Sequence, residues 1–506
     1  MKVVLYLCPL LLAGCATSAI EMAPSRPDAP WTPATRADGE IVAGAPASSG
    51  QPKSDTYVLP SNPALGNVPP PPKLDADHAY TLPELIDIAQ SSNPMTRVAW
   101  EDARNTALAA GIAAAAYLPS ISASVVGAYQ TGNNRNTAFG TTASSDVSGS
   151  ETISAVSVQW LLFDFGERAA NVSAAKQVST MANIAFTAAH QQVIYKVSLA
   201  FYAHAAALAR VDTANKALVN AQEVQSAAEA RYAHGIGTTV EVAQARQATA
   251  QGQLAQVQAA GQVQDTYTTL TSAMGISPLS QFKIADMSHR KLSTAMLDPI
   301  EQIVSEALAR RPDVLGAYAA HEASLAKLRA AQAEFMPKLF LGATGSYVSG
   351  GLDVTALPGV GQESPTVNLS GSHLGATVLM GVTVPIYDGG LRRALESQAR
   401  SDAVKTDLTL EQVRNEATRQ IVAAKNGVKT SLSALDASDA LAAAAQVTFA
   451  AALAAYRSGV GSITDVTRAE TQLLEARNAA SDAYSTALAA AATLALSVGA
   501  LGAAPQ

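Results

Sequence analysis

Two short stretches decide the fold: YAHGIG at residues 232–237 and YRSGVG at residues 456–461, which stand 224 residues apart. DFG at residues 164–166 and DGG at residues 388–390 are separated by the same offset. Self-similarity at a fixed offset indicates one structural unit that is built twice. The chain is therefore predicted to contain an internal duplication, with a Gly-x-Gly turn inside each copy.

Upstream of these stretches the offset is shorter. Asn93-Pro94 returns as Arg311-Pro312, and Leu118-Pro119 as Met336-Pro337, each 218 residues later. The offset thus changes once, by six residues, between positions 337 and 387. A loop of variable length is predicted there.

Long helices fill most of each copy. Between Gly166 and Gly235, and again between Gly390 and Gly459, lie 68 residues without proline, enough for a helix of about 100 Å. Apolar residues recur at helical spacing among many alanines, which indicates a narrow coiled-coil seam. Further helices of 37 residues (238–274 and 462–498) and of 22 residues (96–117 and 314–335) are predicted. A 37-residue helix and a 22-residue helix stacked end to end nearly equal one long helix in length. Two long helices and two such stacks give one chain four helical tracks.

Four segments alternate apolar and polar side chains: residues 120–130, 153–162, 339–347 and 376–386. This pattern over about ten residues is typical of outer-membrane strands, although soluble hairpins share it. Four strands leave open edges that hydrocarbon cannot satisfy. A membrane-spanning sheet would therefore need several copies, and three copies would supply twelve strands and twelve helical tracks.

The N-terminus is typical of a bacterial lipoprotein. Residues 1–14 read as its signal peptide, and Cys15 follows Ala13-Gly14, so Cys15 is predicted to be acylated; a plain secretory signal is the alternative. Residues 15–80 are rich in proline and predict an extended tether. The net charge of −7 argues against nucleic acid as a partner.

The junctions LFDFG (162–166) and VPIYDGG (384–390), together with the two Gly-x-Gly turns, resemble TolC-like outer-membrane factors of the lipoprotein type. The resemblance runs from about residue 81 to residue 502. It implies an α+β membrane protein: a trimer with a 12-stranded outer-membrane β-barrel, four strands per protomer, continued by a 12-helix periplasmic α-barrel of long coiled-coil helices. The repeats would span residues 81–299 and 300–502, with barrel hairpins at 120–162 and 338–387.

The resemblance also implies site residues. Asp465, Tyr456 and Glu241 match the periplasmic gate, whereas Gly461 and Arg468 depart from the best-known member, which has an arginine and an aspartate there. Arg468 could pair with Asp465 on one helix face and weaken cation selectivity. An adaptor would dock at the turns of the tunnel tip, which contain Gly235, Gly237, Gly459 and Gly461. The strand–helix junctions are the last implied site and contain Asp164, Gly166, Asp388, Gly389 and Gly390.

No catalytic constellation or metal-ligand spacing is found in the sequence, so neither an enzyme nor a cofactor is predicted. The expected partners are a periplasmic adaptor, an inner-membrane pump of RND or ABC type, and outer-membrane lipid. The expected function is a passive channel for small-molecule efflux from a Gram-negative cell. Type I protein secretion and a periplasmic coiled-coil scaffold are the alternatives.

Overall fold

The computed structural model describes residues 74–138, 141–286, 300–349 and 374–502, with short pieces at 23, 27, 34–42, 58–59, 61–66, 354–355 and 368–369. The signal peptide and Cys15 lie outside the described residues. The chain divides into two units, Met1–Asp75 with Ser277–Gln281, and Ala76–Ile276 with Phe282–Gln506. In the first, Ala34–Thr35 pairs with Ile41–Val42, and a 3-10 helix spans Pro63–Leu65.

The second unit carries the long helices and the strands that the sequence predicts. Its helices are α1 (Leu82–Ser92), α2 (Pro94–Ala115), α3 (Glu167–Ala233), α4 (Thr239–Met274), α5 (Ile300–Arg310), α6 (Pro312–Ala333), α7 (Leu391–Arg457) and α8 (Ile463–Ser497). Its longer strands are β1 (Ser120–Ala138), β2 (Thr141–Phe163), β3 (Lys338–Ser349) and β4 (Leu374–Thr383). Two-residue strands pair at Ala79–Tyr80 with Lys283–Ile284, and at Val354–Thr355 with Asn368–Leu369.

The two long helices confirm the prediction from the proline-free stretches, because α3 and α7 each hold 67 residues. Each begins after a glycine in the left-handed region, Gly166 at φ 96° and Gly390 at φ 90°, which a residue with a Cβ adopts only under strain. The 22-residue helices α2 and α6 begin two residues earlier than predicted. They start at Pro94 and Pro312, because proline suits the first helical turn.

The sheet has the strand order β4-β3-β2-β1, and all its pairs are antiparallel. The first hairpin is longer than predicted, with 19 and 23 residues in its strands, and its pairing extends to Ala138 opposite Thr141. Polar residues fill this extension and show no alternation, so the sequence pattern could not mark it. Strand β4 ends at Thr383, before the predicted Ile386, because Pro385 lacks an N–H for the ladder.

The strand register collects apolar residues into rows on one face of the sheet, whereas the other face carries a polar row together with the apolar row Val126, Ile153 and Val348. Directly opposite residues in antiparallel strands share a face. Val378 and Met380 on that apolar face are each 71% exposed. The apolar rows are Val378, Ala343, Val158 and Ile121, and Met380, Leu341 and Trp160; one polar row is Thr377, Thr344, Ser157 and Ser122. The alternation predicted for the four strands is therefore confirmed as one common apolar face.

The helices keep the lateral order of the strands. Near the sheet, α3 packs between α2 and α6, and α6 packs between α3 and α7. Farther away, α3 packs between α4 and α8, and α8 packs between α3 and α7. The second unit is thus four elements wide, with the β1 side and the β4 side as its two edges.

Short and medium helices meet end to end, as predicted for the four tracks. The side chain of Asn93, just before α2, donates from Nδ2 to the carbonyl of Ala273 near the end of α4, at 3.0 Å. In the second copy, Arg311 Nη1 donates to the carbonyl of Ser497 at the end of α8, at 2.6 Å. Each contact satisfies a carbonyl that a helix end leaves without an intrahelical partner.

One helix within the described residues, α7, is long and apolar enough over part of its length to cross a membrane. It packs against α8 and α6 within the chain. A single helix of this kind is weak evidence for a membrane span.

Candidate functional site

The two hairpin tips, residues 231–241 between α3 and α4 and residues 455–465 between α7 and α8, share one backbone conformation. In the first tip, the N–H groups of Ile236 and Gly237 both donate to the carbonyl of Arg231, each at 3.1 Å. In the second tip, the N–H groups of Val460 and Gly461 both donate to the carbonyl of Ala455, each at 3.0 Å. The 224-residue offset therefore holds down to single hydrogen bonds.

Glycine is required in these tips for two separate reasons, backbone conformation and lack of space for a Cβ. Gly235 and Gly459 have φ values of 79° and 83°, in the left-handed region that glycine adopts without strain. A Cβ on Gly237 would lie 2.9 Å from the backbone nitrogen of Tyr232, and one on Gly461 would lie 3.0 Å from that of Tyr456. Helix reversal in each tip thus needs both glycines.

Tyr456 joins the second tip to the first. Its side chain is 1% exposed, and its hydroxyl donates to Glu241 Oε2 at 2.9 Å. Burial and the bond to the Glu241 carboxylate raise the pKa of Tyr456 to about 12, so the phenol remains a donor at neutral pH. The structure thus brings together two of the predicted gate residues. Tyr232, the counterpart in the first tip, is 51% exposed.

Arg231 at the end of α3 contacts the same tyrosine. Its Nη1 donates to the carbonyl of Tyr456 at 3.1 Å, and its guanidinium carbon lies 4.9 Å from the centre of the Tyr456 ring. Its Nε lies 3.8 Å from Glu241 Oε2. A second cross-link joins Arg457 to Glu223 on α3.

Asp465 and Arg468 do not form the pair that the sequence suggested. The Asp465 carboxylate accepts a hydrogen bond from the Ser462 hydroxyl at 2.6 Å, and the same hydroxyl accepts from the Asp465 N–H. Ser462 is the N-cap of α8, and capping holds the carboxylate at the helix start. Across the part of the chain that the structure covers, no ion pair links Asp465 to Arg468; both are exposed.

An apolar cluster lies beneath the tip contacts and packs the two hairpins together. It draws residues from α3, α4, α7 and α8, so both copies contribute. Its most buried members are Val224, Ala228, Ala245, Tyr456, Val466 and Leu473. The tips therefore share one core, and Tyr456 belongs both to that core and to the contacts between the tips.

Glu470 lies within the buried face of α8, two turns above the tip. It is 8% exposed, and burial raises its pKa from 4.5 to about 7. The counterpart position in the first copy is Arg246, which is exposed and paired with Glu229 at 3.0 Å. A hydrogen bond from Gln225 and the contact with Arg246 lower the pKa of Glu229.

The strand–helix junctions have a repeated Asp-to-Arg arrangement. Asp164 Oδ2 accepts from the backbone and from Nε of Arg168 at 2.9 and 2.8 Å, and both side chains are buried. Asp388 Oδ2 accepts from the backbone and from Nη1 of Arg392 at 3.0 and 3.1 Å, and this pair is about a quarter exposed. These aspartates shape the turn, together with the left-handed glycines Gly166, Gly389 and Gly390.

Sequence reasoning missed Arg231, Arg168 and Glu470. Arg231 and Glu470 stand where the two copies differ, opposite Ala455 and Arg246, and that difference is a signal that could have marked them. Arg168 is matched by Arg392, and its repetition after each Asp-x-Gly junction is the corresponding signal. Among the described residues, no group of three or more His, Cys, Asp or Glu side chains is placed to hold a metal ion.

A sheet with one exposed apolar face, continued strand by strand into helices that end in cross-linked tips, defines the class of TolC-like outer-membrane channel subunits. The chain belongs to the outer membrane efflux protein family, whose model matches residues 85–276 and 303–500. These ranges cover both copies of the duplication.

Individual relatives agree with this assignment. The chain is 26% identical to Protein CyaE of Bordetella pertussis over 411 residues, 81% of this chain and 82% of that protein. It is 31% identical to the pyoverdine export outer membrane protein OpmQ of Pseudomonas putida over 189 residues, 37% of this chain and 36% of that protein. The crystal structure of the outer membrane protein VceC of Vibrio cholerae shares its fold, with a TM-score of 0.70, 19% identity, and coverage of 83% of this chain and 96% of that one.

Proposed function

We propose that three copies of this chain form a passive channel that carries substrates across the periplasm and the outer membrane. The observation that carries the proposal is the single apolar face shared by four strands whose two outer edges, at β1 and β4, have no partner strand within the described sheet. Hydrocarbon favours the apolar face but penalises open edges. Pairing of β1 in one copy with β4 in the next removes those edges.

Three copies give a closed wall of useful bore. Four strands per copy make a 12-stranded barrel, wide enough for a water-filled lumen, whereas four strands alone cannot close around one. The helices follow the same lateral order as the strands, so the same closure forms a 12-helix periplasmic barrel. The face that carries the polar row then lines the lumen.

The proposed organisation follows the sequence boundaries. Residues 1–14 are the signal peptide, residues 15–80 a tether anchored in the outer membrane through acylated Cys15, and residues 81–299 and 300–502 the two repeats. Radiolabelled palmitate incorporation into the wild type but not into Cys15→Ser would support the anchor. Equal incorporation into both would contradict it.

The tip turns are the proposed docking site for a periplasmic adaptor that connects the channel to an inner-membrane pump of RND or ABC type. The large apolar residues exposed there are Tyr232, Ile236, Val240 and Val460. An apolar, exposed end on a long helical wall offers an adaptor a surface at the level where the channel must meet it.

Small molecules are the proposed cargo. Support comes from OpmQ, which is named for pyoverdine export and is 31% identical over its matched segment. A deletion strain should become sensitive to toxic small molecules while its secreted proteins stay unchanged. Loss of a secreted protein without any change in sensitivity would instead indicate type I protein secretion.

The gate of this channel is proposed to be the tip cross-link between Tyr456 and Glu241, with Asp465 and Arg468 exposed near the pore. Three copies would place a mixed ring of acidic and basic residues there. We expect weaker cation preference than from two acidic rings. A strong cation preference in reversal potentials that disappears in Arg468→Ala would contradict this.

Planar-bilayer recording together with native mass analysis tests the main proposal. The expected result is a trimer that inserts discrete conducting units. A soluble monomer or dimer after delipidation, with no conductance, would contradict the channel and favour a periplasmic scaffold.

A further inference from the structure

We propose that each protomer has a binding recess for uncharged amphiphilic small molecules at the level where α6 and α8 meet. The recess has a volume of about 850 Å³, and it is walled by α3, the start of α6, α7 and the end of α8. Pockets of roughly 300 to 1,000 Å³ suit ligands of drug size. The inference rests on the proposed channel function, because it names the class of cargo that the channel wall contacts in transit.

The recess lies on the side of the wall that would face the lumen. Gln192, which lines it, and the exposed Lys196 are one turn apart and share a face of α3. Ile194 lies on the opposite face, where it is buried and its Cδ1 would be 3.0 Å from a Cβ on Gly502. Chain packed on the inner face of a barrel would obstruct its bore, so the face under Gly502 is the outer one. A molecule in the lumen can therefore enter the recess.

Small and apolar residues line the recess on three of its helices. An apolar surface of this kind favours an apolar ligand body, because burial removes both surfaces from water. These residues are Ala188 and Leu199 on α3, Ala423 and Ala424 on α7, and Ala489 and Leu496 on α8.

Gly427 contributes open space to the same wall. It lies within α7, where glycine destabilises a helix relative to alanine. A Cβ on Gly427 would meet no atom within 4 Å, so close packing does not require the glycine. Its lack of a side chain instead widens the recess.

The charged side chains at the recess are neutralised within the protein. Arg311 pairs with Asp313 at 2.6 Å, and Arg419 pairs with Glu416 at 2.5 Å. A charged ligand would lose its hydration here without gaining a free counter-charge. The recess therefore favours an uncharged ligand.

Uncharged polar groups are available to orient such a ligand. The hydroxyl groups of Tyr195 and Thr493 lie 3.0 Å apart at the recess. Gln191 and Gln192 also line it, and their side-chain amides form no hydrogen bond within the described part of the chain. An amide can donate to a ligand carbonyl or accept from a ligand hydroxyl. An apolar molecule with one or two such groups fits this chemistry.

Comparison of the two copies shows that the recess belongs to the second one. At the 224-residue offset, the positions that make the wall small and uncharged are occupied in the first copy by larger or charged residues. The counterparts of Ala423, Gly427, Ala489 and Gln420 are Leu199, Ala203, Asp265 and Lys196, respectively. The first copy thus lacks the residues that form the recess.

Photo-crosslinking of the full-length trimer with benzophenone tests the proposal. Benzophenone is uncharged, has two apolar rings and one carbonyl acceptor, and inserts into nearby C–H bonds on irradiation. Mass analysis of peptides should locate adducts within residues 188–199, 419–427 and 486–497, which line the recess. Benzophenone-4-carboxylate is anionic at neutral pH and should give about tenfold fewer adducts there.

Gly427→Leu and Ala423→Leu fill the recess. Each should lower the yield of benzophenone adducts on its walls by about tenfold, because the leucine occupies the space of the ligand. Ala434→Leu is the matched control. It adds a leucine to an exposed position on the same face of α7, two turns beyond Gly427, and should leave the adduct yield unchanged.

Native mass analysis confirms that each variant is a trimer. If Gly427→Leu does not assemble, Ala423→Leu supplies the same test with the residue that the first copy has at that position. Wild-type adduct yields in the filled variants, equal recess labelling by the carboxylate, or no recess adducts in the wild type would overturn this inference. Absence of conductance in the wild type would overturn the proposed function instead, because crosslinking does not depend on ion flow.

Discussion

The two hairpin tips share a backbone but differ in how their side chains are used. The tip hydrogen bonds and glycines repeat at the 224-residue offset, yet Tyr456 is 1% exposed and Tyr232 is 51% exposed. Arg231 has Ala455 as its counterpart, so its contact with the backbone and ring of Tyr456 has no copy at the repeat-related position. Duplication thus supplied the scaffold, and the unequal side chains supply a contact that can be made or broken.

The two strand–helix junctions, at the other end of the long helices, also share a backbone arrangement but differ in their side-chain contacts. Both have an aspartate that accepts the N–H and the guanidinium of an arginine four residues later. Arg168 also donates to the carbonyls of Ala116 and Leu161, at 3.0 and 2.6 Å, and it is buried. The first junction is therefore expected to depend more strongly on its ion pair than the second.

The largest expected effect is on the first junction. Asp164→Ala leaves the buried Arg168 guanidinium without its carboxylate, which costs about 3 to 5 kcal/mol. Asp388→Ala removes a more exposed pair and should cost clearly less. Denaturant unfolding of the detergent-solubilised protein measures both free energies of unfolding.

Equal losses in the two variants would contradict the difference between the junctions. Arg400→Ala is a suitable control, because it breaks only an exposed ion pair with Glu396 on α7. It should change the free energy of unfolding by less than either aspartate variant.

Glu470 provides the next largest effect, and it depends on pH. Its folded-state pKa is raised, so the fold favours the protonated form, and stability falls as pH rises from 4.5 through about 7. Glu470→Gln should therefore stabilise the protein at pH 8 by about 2 kcal/mol, allowing for solvent screening, and hardly change it at pH 4. Unfolding at both pH values measures this.

The exposed Glu475 on the same helix is the matched control. Glu475→Gln should show no comparable difference between pH 4 and pH 8. A stability gain from Glu470→Gln that is the same at both pH values would show that its carboxyl does not titrate as described.

The smallest effect distinguishes the two left-handed glycines of the tips. Gly235→Ala and Gly459→Ala each introduce left-handed strain of about 1 kcal/mol. Gly459→Ala should cost a few tenths more, because its Cβ meets Arg231 Nη1 at 3.2 Å, whereas Gly235 faces open space. Thermal melting of the trimers ranks the variants, and a greater loss in Gly235→Ala would contradict the closer packing of the second tip.

The sequence allowed the helices, the four strands and the tip turns to be predicted because each has a strong local signal. Proline-free runs, alternation and left-handed glycines are properties of short segments. The polar extension of β1 and β2 to Ala138 and Thr141 has no alternation and was missed. The pair of Asp465 and Arg468 was wrongly suggested, because spacing alone does not show that the Ser462 cap occupies the carboxylate.

The site was predicted only in part for a similar reason. Tyr456 and Glu241 were identified through the family resemblance, and the structure brings them to 2.9 Å. Arg231 was missed because its role depends on how the end of α3 packs against the other hairpin. No local pattern reports a contact between residues 225 positions apart.

The most direct test of the gate is single-channel recording of Tyr456→Phe beside Tyr232→Phe. Both variants lose one hydroxyl at repeat-related positions, but only Tyr456 donates to Glu241 across the tips. Tyr456→Phe should raise the ratio of open to closed time by about tenfold, as expected for a lost bond to a charged acceptor, and Tyr232→Phe should match wild type. The same open-to-closed ratio in both variants, whether high or low, would contradict a gate that depends on the Tyr456 hydroxyl and not on that of Tyr232.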